Sequence, residues 1–166
     1  MTQWKSYSTE EQIHRTGLIV ERFCELERTV NELLFCFIGP YTDAEDLIRL
    51  HLLDNSILSF ASKIKLLQVI DRLKGTSHIN RDELHRLLAI RNAFAHNVVG
   101  RNIEVEYVPS GLADTYFYIE SIKGNGALLR VKRDDAYGEF LALCDSAAVR
   151  LAALHAAVRG VVADGI

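Results

Sequence analysis

Apolar residues recur every three or four positions over the first long stretch of the chain, residues 9–38. This spacing places them along one face of a helix. Gly39-Pro40 follows, and proline neither continues a helix nor favours helical geometry in the residue before it. The pattern predicts a helix over residues 9–38. Its apolar face would consist of Ile13, Val20, Phe23, Val30, Leu33, Leu34 and Phe37.

Two shorter helices are predicted next. One runs from about residue 43 to 53, before Asp54-Asn55-Ser56 interrupts the pattern. The other spans about 59–74 and ends at Lys74-Gly75, since a cation in the last turn and a glycine after it both suit a helix terminus. Its apolar stripe would consist of Phe60, Ile64, Leu67 and Ile70.

A fourth helix is predicted from Asn80 to about His96 or Asn97. Asn80 can cap its first turn, and Glu83 stands where a capping-box partner would reach back. Leu84, Leu87, Leu88 and Phe94 supply a buried stripe.

Residues 102–132 lack the helical spacing of the preceding segments. Apolar and polar positions alternate there instead, which is typical of strands. Strand-like segments lie near 102–108, 115–119 and 127–131, with turns at 109–111 and 124–126, and they predict an antiparallel sheet of two or three strands. An alanine-rich helix follows over about 135–159, with Asp134-Asp135 as its N-cap. The sequence therefore predicts a mainly α fold: a bundle of about five helices with a small antiparallel β-meander inserted before the last helix.

Composition narrows the class of protein. The chain has 166 residues, of which 49% are apolar, and this length predicts a single domain over 1–166. A formal charge of −3 argues against a broad nucleic-acid footprint, which is usually basic. We find no long uninterrupted apolar run and no signal-peptide pattern at the N-terminus. We therefore expect a cytoplasmic protein with no membrane association.

Neither a metal nor a cofactor is indicated by the sequence. Cys24, Cys36 and Cys144 cannot all pair, and each stands among apolar helical positions, so we expect buried, reduced thiols. No cysteine or histidine spacing suggests zinc. There is no phosphate-binding loop and no glycine-rich dinucleotide turn, so we expect no cofactor.

The candidate chemistry lies in Arg91-Asn92-Ala93-Phe94-Ala95-His96, at the end of the fourth helix. Asn92 and His96 lie about one turn apart on nearly the same face, whereas Arg91 and His96 are roughly 140° apart. Arginine binds phosphate bidentately, and a neutral histidine can take a proton from a ribose 2′-hydroxyl. Asn92 could orient the imidazole. The same residues also allow a purely structural role, with Arg91 in an ion pair and His96 at the helix terminus.

Two lysines of the third helix are further candidates for binding. Lys63 and Lys65 lie on different faces, so they form a solvated edge or contact phosphate. The aromatic run Tyr116-Phe117-Tyr118 could stack on bases, but alternating aromatic residues in a strand usually pack a core.

The motif resembles that of the HEPN superfamily, in which an arginine, usually followed by a polar residue, precedes a histidine by four to six positions. Arg91, Asn92 and His96 match this pattern. The resemblance implies a helical bundle that pairs its motifs across a homodimer. It also implies that the chain is either a metal-independent RNase of toxin–antitoxin or defence systems, with Arg91, Asn92 and His96 as catalytic residues, or one of the non-catalytic members.

Residues 45–97 also resemble the mannitol operon repressor-like family. The similar segments are Leu58-Ser59-Phe60-Ala61-Ser62-Lys63-Ile64-Lys65-Leu66-Leu67 and Ile90-Arg91-Asn92-Ala93-Phe94-Ala95-His96. Val69-Ile70-Asp71 stands where that family often has Gly-Leu-Ile, and the β segment has no counterpart that we can match. The resemblance implies a regulatory helical bundle without a DNA-reading module.

Two hypotheses of different classes follow. The first is a non-catalytic regulatory or protein-interaction module, and the second is an endoribonuclease that uses Arg91, Asn92 and His96. The expected partners are a second copy of the chain, a protein such as an antitoxin or regulator, and RNA. Sequence-specific DNA binding is not expected, since no helix-turn-helix pair carries a basic recognition helix. For the homodimer, the first helix offers Phe23, Leu34, Phe35 and Phe37, more apolar residues than one face requires.

Overall fold

The computed structural model describes residues 9–39, 44–97, 103–107, 113–122 and 128–163. In these ranges the chain is mainly helical, and a small antiparallel sheet precedes the last helix, as the sequence predicts. The elements are α1 (Thr9–Ile38), a π-helix (Leu47–Leu52), α2 (Phe60–Leu73), α3 (Arg81–His96), β1 (Ile103–Tyr107), β2 (Ala113–Ile122), β3 (Leu128–Lys132) and α4 (Arg133–Ala163).

Contacts divide the described residues into two compact units. We call the first the sheet unit; it comprises Met1–Arg22 and Ala89–Ala142. We call the second the π-helix unit; it comprises Phe23–Leu88 and Leu143–Ile166. The sheet unit contains the motif at 91–96, and the π-helix unit contains both candidate lysines. The prediction of one domain over the whole chain stays a prediction.

The bounds of α1 agree with the predicted helix over residues 9–38. Gly39 is required directly after it, because a Cβ at this position would lie 2.7 Å from the ring of Phe35. Pro40 lies outside the described residues. One predicted core position is wrong: Ile13 is exposed, although Phe23, Val30, Leu33 and Leu34 are buried as expected.

The second predicted helix, about 43–53, is shorter than expected and is a π-helix. Its wider turn is seen in the hydrogen bond from the backbone N–H of Leu53 to the carbonyl of Ile48, at 3.0 Å. Among the six residues of the π-helix only Ile48 is buried. Leu53, directly after it, is buried as well. Residues 40–43, where the prediction begins, lie outside the described residues.

Helix α2 begins after Ser59, whose side chain accepts a hydrogen bond from the Ser62 N–H. Phe60, Ile64, Leu67 and Ile70 are all buried, so the predicted stripe is confirmed. The helix ends as predicted at Lys74-Gly75. Gly75 has a φ of 68°, a left-handed conformation that favours glycine.

Asp71 fixes the connection from α2 to α3. Its carboxylate accepts hydrogen bonds from the Thr76 hydroxyl at 2.5 Å and from the backbone N–H groups of His78 and Ile79 at 3.1 and 3.0 Å. Burial raises the pKa of Asp71, but these hydrogen bonds outweigh burial, so the pKa lies below its usual value. Asn80 then caps α3, accepting from the Glu83 N–H at 3.2 Å.

The three strands form one antiparallel sheet in the order β1-β2-β3. Ile103 pairs with Phe117 across β1 and β2, and Tyr118 pairs with Lys132 across β2 and β3. The predicted meander is confirmed, while the predicted turns at 109–111 and 124–126 lie outside the described residues.

The last helix begins two residues earlier than predicted, at Arg133. Asp134 and Asp135 therefore lie within its first turn rather than at its N-cap. Their negative charges still favour the helix, since the amino end of a helix carries partial positive charge. Along α4 the buried side chains recur every three or four residues. They are Ala136, Phe140, Cys144, Ala147, Leu151, Leu154 and Val158.

Candidate functional site

The motif at 91–96 forms the last turns of α3, and its residues differ in exposure. Ala93 and Phe94 are buried, Arg91 and Asn92 are half-buried, and His96 is exposed. The apolar part of the motif therefore belongs to the core of the sheet unit. The imidazole of His96 faces solvent, where it is accessible to a substrate or partner.

Arg91 and Asn92 are joined directly. Arg91 Nη1 donates a hydrogen bond to Asn92 Oδ1 at 3.1 Å. We expected Asn92 to orient the imidazole, but among the described residues His96 has no hydrogen bond to Asn92. The amide carbonyl of Asn92 instead restricts the guanidinium of Arg91.

Asn97, directly after the motif, fastens the end of α3 to the sheet. Its Nδ2 donates to the carbonyl of Ala93 at 2.6 Å and to the carbonyl of Glu120 at 3.0 Å. Its Oδ1 accepts from the Glu120 N–H at 3.2 Å. The side chain thus pairs with the backbone of β2 as a neighbouring strand would. Sequence reasoning treated Asn97 only as a helix end and missed this role.

Phe94 of the motif packs against a buried arginine. The guanidinium of Arg133 lies 4.4 Å from the centre of the Phe94 ring and donates to Thr16 Oγ1 at 2.5 Å. Burial and the nearby charge of Arg15 lower the pKa of Arg133, and Asp134 partly opposes them. No carboxylate among the described residues forms an ion pair with Arg133.

Arg15, in contrast, is well paired. It contacts Asp134 at 2.5 Å and Glu11 at 2.7 Å, and its guanidinium lies 5.1 Å from the centre of the Tyr137 ring. Burial lowers the pKa of Arg15, but the two carboxylates more than compensate, so the pKa is raised. Arg15 is therefore neutralised by acids, whereas Arg133 is held by a ring and a hydroxyl.

The structure separates the two candidate lysines. Lys65 is exposed, whereas Lys63 is fully buried. The prediction that they lie on different faces is confirmed, but the expectation of a solvated edge is wrong for Lys63. Its ammonium donates to Glu27 Oε1 at 2.8 Å and to Asn55 Oδ1 at 3.1 Å. The Phe60, Ile64 and Leu67 stripe passes through position 63, and this spacing is the signal that could have found its burial.

Lys63 lies at the edge of a polar pocket of about 290 Å³ within the π-helix unit. The pocket is lined by Cys24, Glu27, Arg28, Asn31, Arg49, Leu53, Asp54, Asn55 and Lys63. Arg49 is held in place by Glu32 at 2.6 Å and Glu45 at 2.8 Å, and its guanidinium lies over the Phe35 ring at 3.6 Å. The hydrogen bond that Arg49 donates to the Glu32 carboxylate is the main reason that the pKa of Arg49 is raised.

The π-helix that contains Arg49 also carries exposed leucines. Leu47 is 61% exposed and Leu50 is 66% exposed, and both belong to the π-helix. Leu52 and Ile57 are exposed too, the latter by 63%. We call Leu47, Leu50, Leu52 and Ile57 the leucine surface. The buried anchors Ile48 and Leu53 hold this segment to its own unit while these side chains remain outside.

Neither metal binding nor a disulfide is apparent in the described residues. Among them no group of three or more His, Cys, Asp or Glu side chains could hold a metal ion. None of the three cysteines forms a disulfide, and the prediction of burial is right for Cys144 alone. Cys24 is exposed, and Cys36 is half-buried with its sulfur 3.5 Å from His155 Nε2.

Helix α4 has the length and composition of a membrane-crossing segment over Arg133–Gly160, with 28% of its most apolar window buried. Its many alanines produce this result without a long run of large apolar residues. A core helix of a soluble protein passes the same test. The expectation of no membrane association therefore stays a prediction.

Comparisons with family models, with curated proteins and with solved structures give no match to this chain. The resemblances to HEPN domains and to mannitol operon repressor-like proteins accordingly rest on the quoted motif residues.

Proposed function

We propose that the protein is a non-catalytic, cytoplasmic interaction module that associates with a second copy of itself through the leucine surface. The exposure of Leu47, Leu50, Leu52 and Ile57 carries this proposal. All four are large apolar side chains that are exposed within residues 47–57, and exposed apolar surface of this kind marks sites of protein association. A π-helical turn is also a feature that recurs at functional sites.

An apolar surface suits a second copy of the chain because it is complementary to itself. A two-fold dimer places the same surface on both partners, so a charged surface would repel its own copy. Helix α1 does not supply the dimer surface that the sequence predicted there. Phe23, Leu34 and Phe35 are buried within the chain itself, so they are occupied in each copy.

The proposal is tested by changing the leucine surface without disturbing the core. Leu47→Ser with Leu50→Ser removes two exposed apolar side chains and should weaken the dimer at least tenfold, since burying one leucine is worth about 1.5–3 kcal/mol. Leu73→Ser is the matched control, because Leu73 is 67% exposed and lies outside the leucine surface. Sedimentation velocity measures the dissociation constant of each variant. Equal weakening by the control, or none by the double variant, would contradict the proposal.

A second candidate function is metal-independent cleavage of RNA, favoured by the exposed imidazole of His96. A base must be accessible to take the 2′-hydroxyl proton, and His96 meets this requirement. Arg91, held by Asn92, would stabilise the phosphate as negative charge develops on it.

This candidate predicts cleavage of RNA in the presence of EDTA. His96→Ala should lower the rate about 10²- to 10⁴-fold without changing the melting temperature, because the imidazole is exposed and only a general base is lost. Arg91→Ala should cause a similar loss, and Asn92→Ala a smaller one, since Asn92 only restricts Arg91. His51→Ala removes another exposed histidine and should leave the rate unchanged. Absence of cleavage by the wild type on varied RNAs eliminates this candidate.

A further inference from the structure

Cys36 and His155 form a contact that neither the leucine surface nor the motif at 91–96 involves. The sulfur of Cys36, in the last turn of α1, lies 3.5 Å from Nε2 of His155 on α4. Both residues belong to the π-helix unit. They are 119 residues apart along the chain, so no local spacing in the sequence connects them and only the folded unit brings them together.

Both side chains of this pair are accessible. Cys36 and His155 are half-buried, whereas Cys144, the third cysteine, is only 8% exposed. On α4 the neighbours of His155 toward solvent include Ala152 and Ala156, which are both exposed. Alanine carries only a methyl group, so a small molecule meets little steric obstruction on this side of the imidazole.

The contact joins a nucleophile to a base. A neutral imidazole that carries its proton on Nδ1 leaves Nε2 able to accept the thiol proton. The thiolate rather than the thiol attacks electrophiles, and an adjacent histidine is a common means of activating a cysteine. Cys24 provides the contrast within the same unit. It is more exposed than Cys36, but no histidine of the described residues is hydrogen-bonded to its sulfur.

Among electrophiles, a disulfide makes the fullest use of such a pair. Exchange removes a proton from the attacking thiol and supplies a proton to the thiolate that departs. A base held beside the attacking sulfur can perform both transfers and is unchanged at the end. An alkylating reagent would use only the first transfer.

We propose that Cys36 is a nucleophilic thiol that forms a mixed disulfide with low-molecular-weight disulfides, with His155 as its base. Nε2 of His155 accepts the thiol proton as Cys36 Sγ attacks one sulfur of the reagent. A new S–S bond forms at Cys36, and the S–S bond of the reagent breaks. The departing thiolate takes the proton from the imidazolium. Cys36 is thus oxidised, the reagent is reduced to one thiol, and His155 regains its neutral form.

The reactivity of the three cysteines in the full chain tests this proposal directly. Bis(2-hydroxyethyl) disulfide is the probe, because it is small and uncharged, and peptide mapping by mass spectrometry follows the mixed disulfide at each cysteine. At neutral pH we expect Cys36 to react about tenfold faster than Cys24, despite the greater exposure of Cys24. Cys144 should react most slowly, since it is buried. Dithiothreitol should reverse the modification.

Two histidine variants test whether the imidazole is the cause. His155→Gln keeps a polar side chain but removes a group that can accept a proton at neutral pH. It should lower the rate at Cys36 about tenfold and leave the rate at Cys24 unchanged. His14→Gln is the matched control, because His14 is exposed and belongs to the sheet unit, and it should react as the wild type does. The rate at Cys144 reports whether each variant is folded.

A rate at Cys36 equal to or below that at Cys24 in the wild type would overturn the proposal. An unchanged rate at Cys36 in His155→Gln, with Cys144 still protected, would overturn it as well. If that variant instead exposes Cys144 by unfolding, the comparison of Cys36 with Cys24 in the wild type decides by itself, because it requires no substitution.

Discussion

Two basic side chains, Lys63 and Arg133, are buried in the structure, and each depends on a different set of contacts. Lys63 is held by a carboxylate and an amide oxygen. Arg133 is held by an aromatic ring and a hydroxyl. A buried charge is costly unless it is paired, so these contacts decide whether each residue stabilises its unit.

The ion pair of Lys63 and Glu27 should be strongly coupled. Lys63→Met alone leaves the Glu27 carboxylate, whose side chain is 14% exposed, without its partner and should reduce the free energy of unfolding by about 3 kcal/mol. Combining it with Glu27→Leu removes both charges and should recover most of that loss. Lys65→Met, at an exposed position, should change stability by less than about 0.5 kcal/mol. Urea denaturation measures the wild type, Lys63→Met, Glu27→Leu, the double variant and Lys65→Met. Purely additive effects of Lys63→Met and Glu27→Leu would show that the pair is not coupled.

Asp71 should make stability depend on pH in acid. Its pKa in the folded chain lies below the usual value of about 3.9, so the folded state binds this proton less readily than the unfolded state does. Its contribution is therefore fully present above about pH 5 and is lost as the pH falls through the folded-state pKa.

Asp71→Asn tests this effect because it removes the charge but keeps the size. It should lower stability by about 1.5–3 kcal/mol at neutral pH, the usual range for hydrogen bonds to a charged group. The difference in melting temperature between wild type and variant should narrow below about pH 4. A difference that stays constant down to pH 2.5 would show that the carboxylate charge does not matter.

Position on a helix face could be read from the sequence, but side-chain partners could not. The spacing of Asn92 and His96 correctly placed them one turn apart, yet the amide of Asn92 contacts Arg91 instead. Adjacent long side chains choose among several rotamers, and the packing around them decides. The pairing of Lys63 with Glu27 spans 36 residues of sequence, so no local pattern encodes it.

Among the elements, the long helices were the most predictable. Over 30 residues, α1 repeats its apolar spacing often enough to fix both ends, and Gly39 confirms the C-terminal one. The six-residue π-helix could not be predicted as such, because Leu47, Leu50 and Leu52 carry the same apolar signal as the buried Ile48. Only the tertiary packing of Ile48 and Leu53 separates the exposed from the buried positions.

The stability of the junction between α3 and β2 should depend on the hydrogen bonds of the Asn97 side-chain amide. Asn97→Ala leaves the Glu120 N–H and carbonyl without these contacts, which should cost about 1–3 kcal/mol. Asn92→Ala is the matched control on the same helix and should cost less, since that amide contacts only Arg91 among the described residues. Thermal melts compare the two variants, and hydrogen exchange at the Glu120 amide locates the change. Unaltered protection of that amide from exchange would show that Asn97 does not stabilise the end of α3 against β2.

For the whole molecule, the leucine surface and the polar pocket involve neighbouring residues. The leucine surface includes residues of the π-helix, and the pocket is lined by Arg49 of the same helix and by Leu53 directly after it. The spacing of apolar residues along the chain predicted a mainly helical fold. It could not predict which apolar residues remain outside, because exposure depends on how the elements pack.

Self-association through the leucine surface is the central claim, and the molar mass of the wild-type chain in solution tests it most directly. Sedimentation equilibrium over a range of concentrations should give a mass approaching twice the chain mass of 18.7 kDa at tens of micromolar. The mass should fall toward that of one chain on dilution, as mass action requires. A mass that remains at 18.7 kDa over the whole range would contradict the claim.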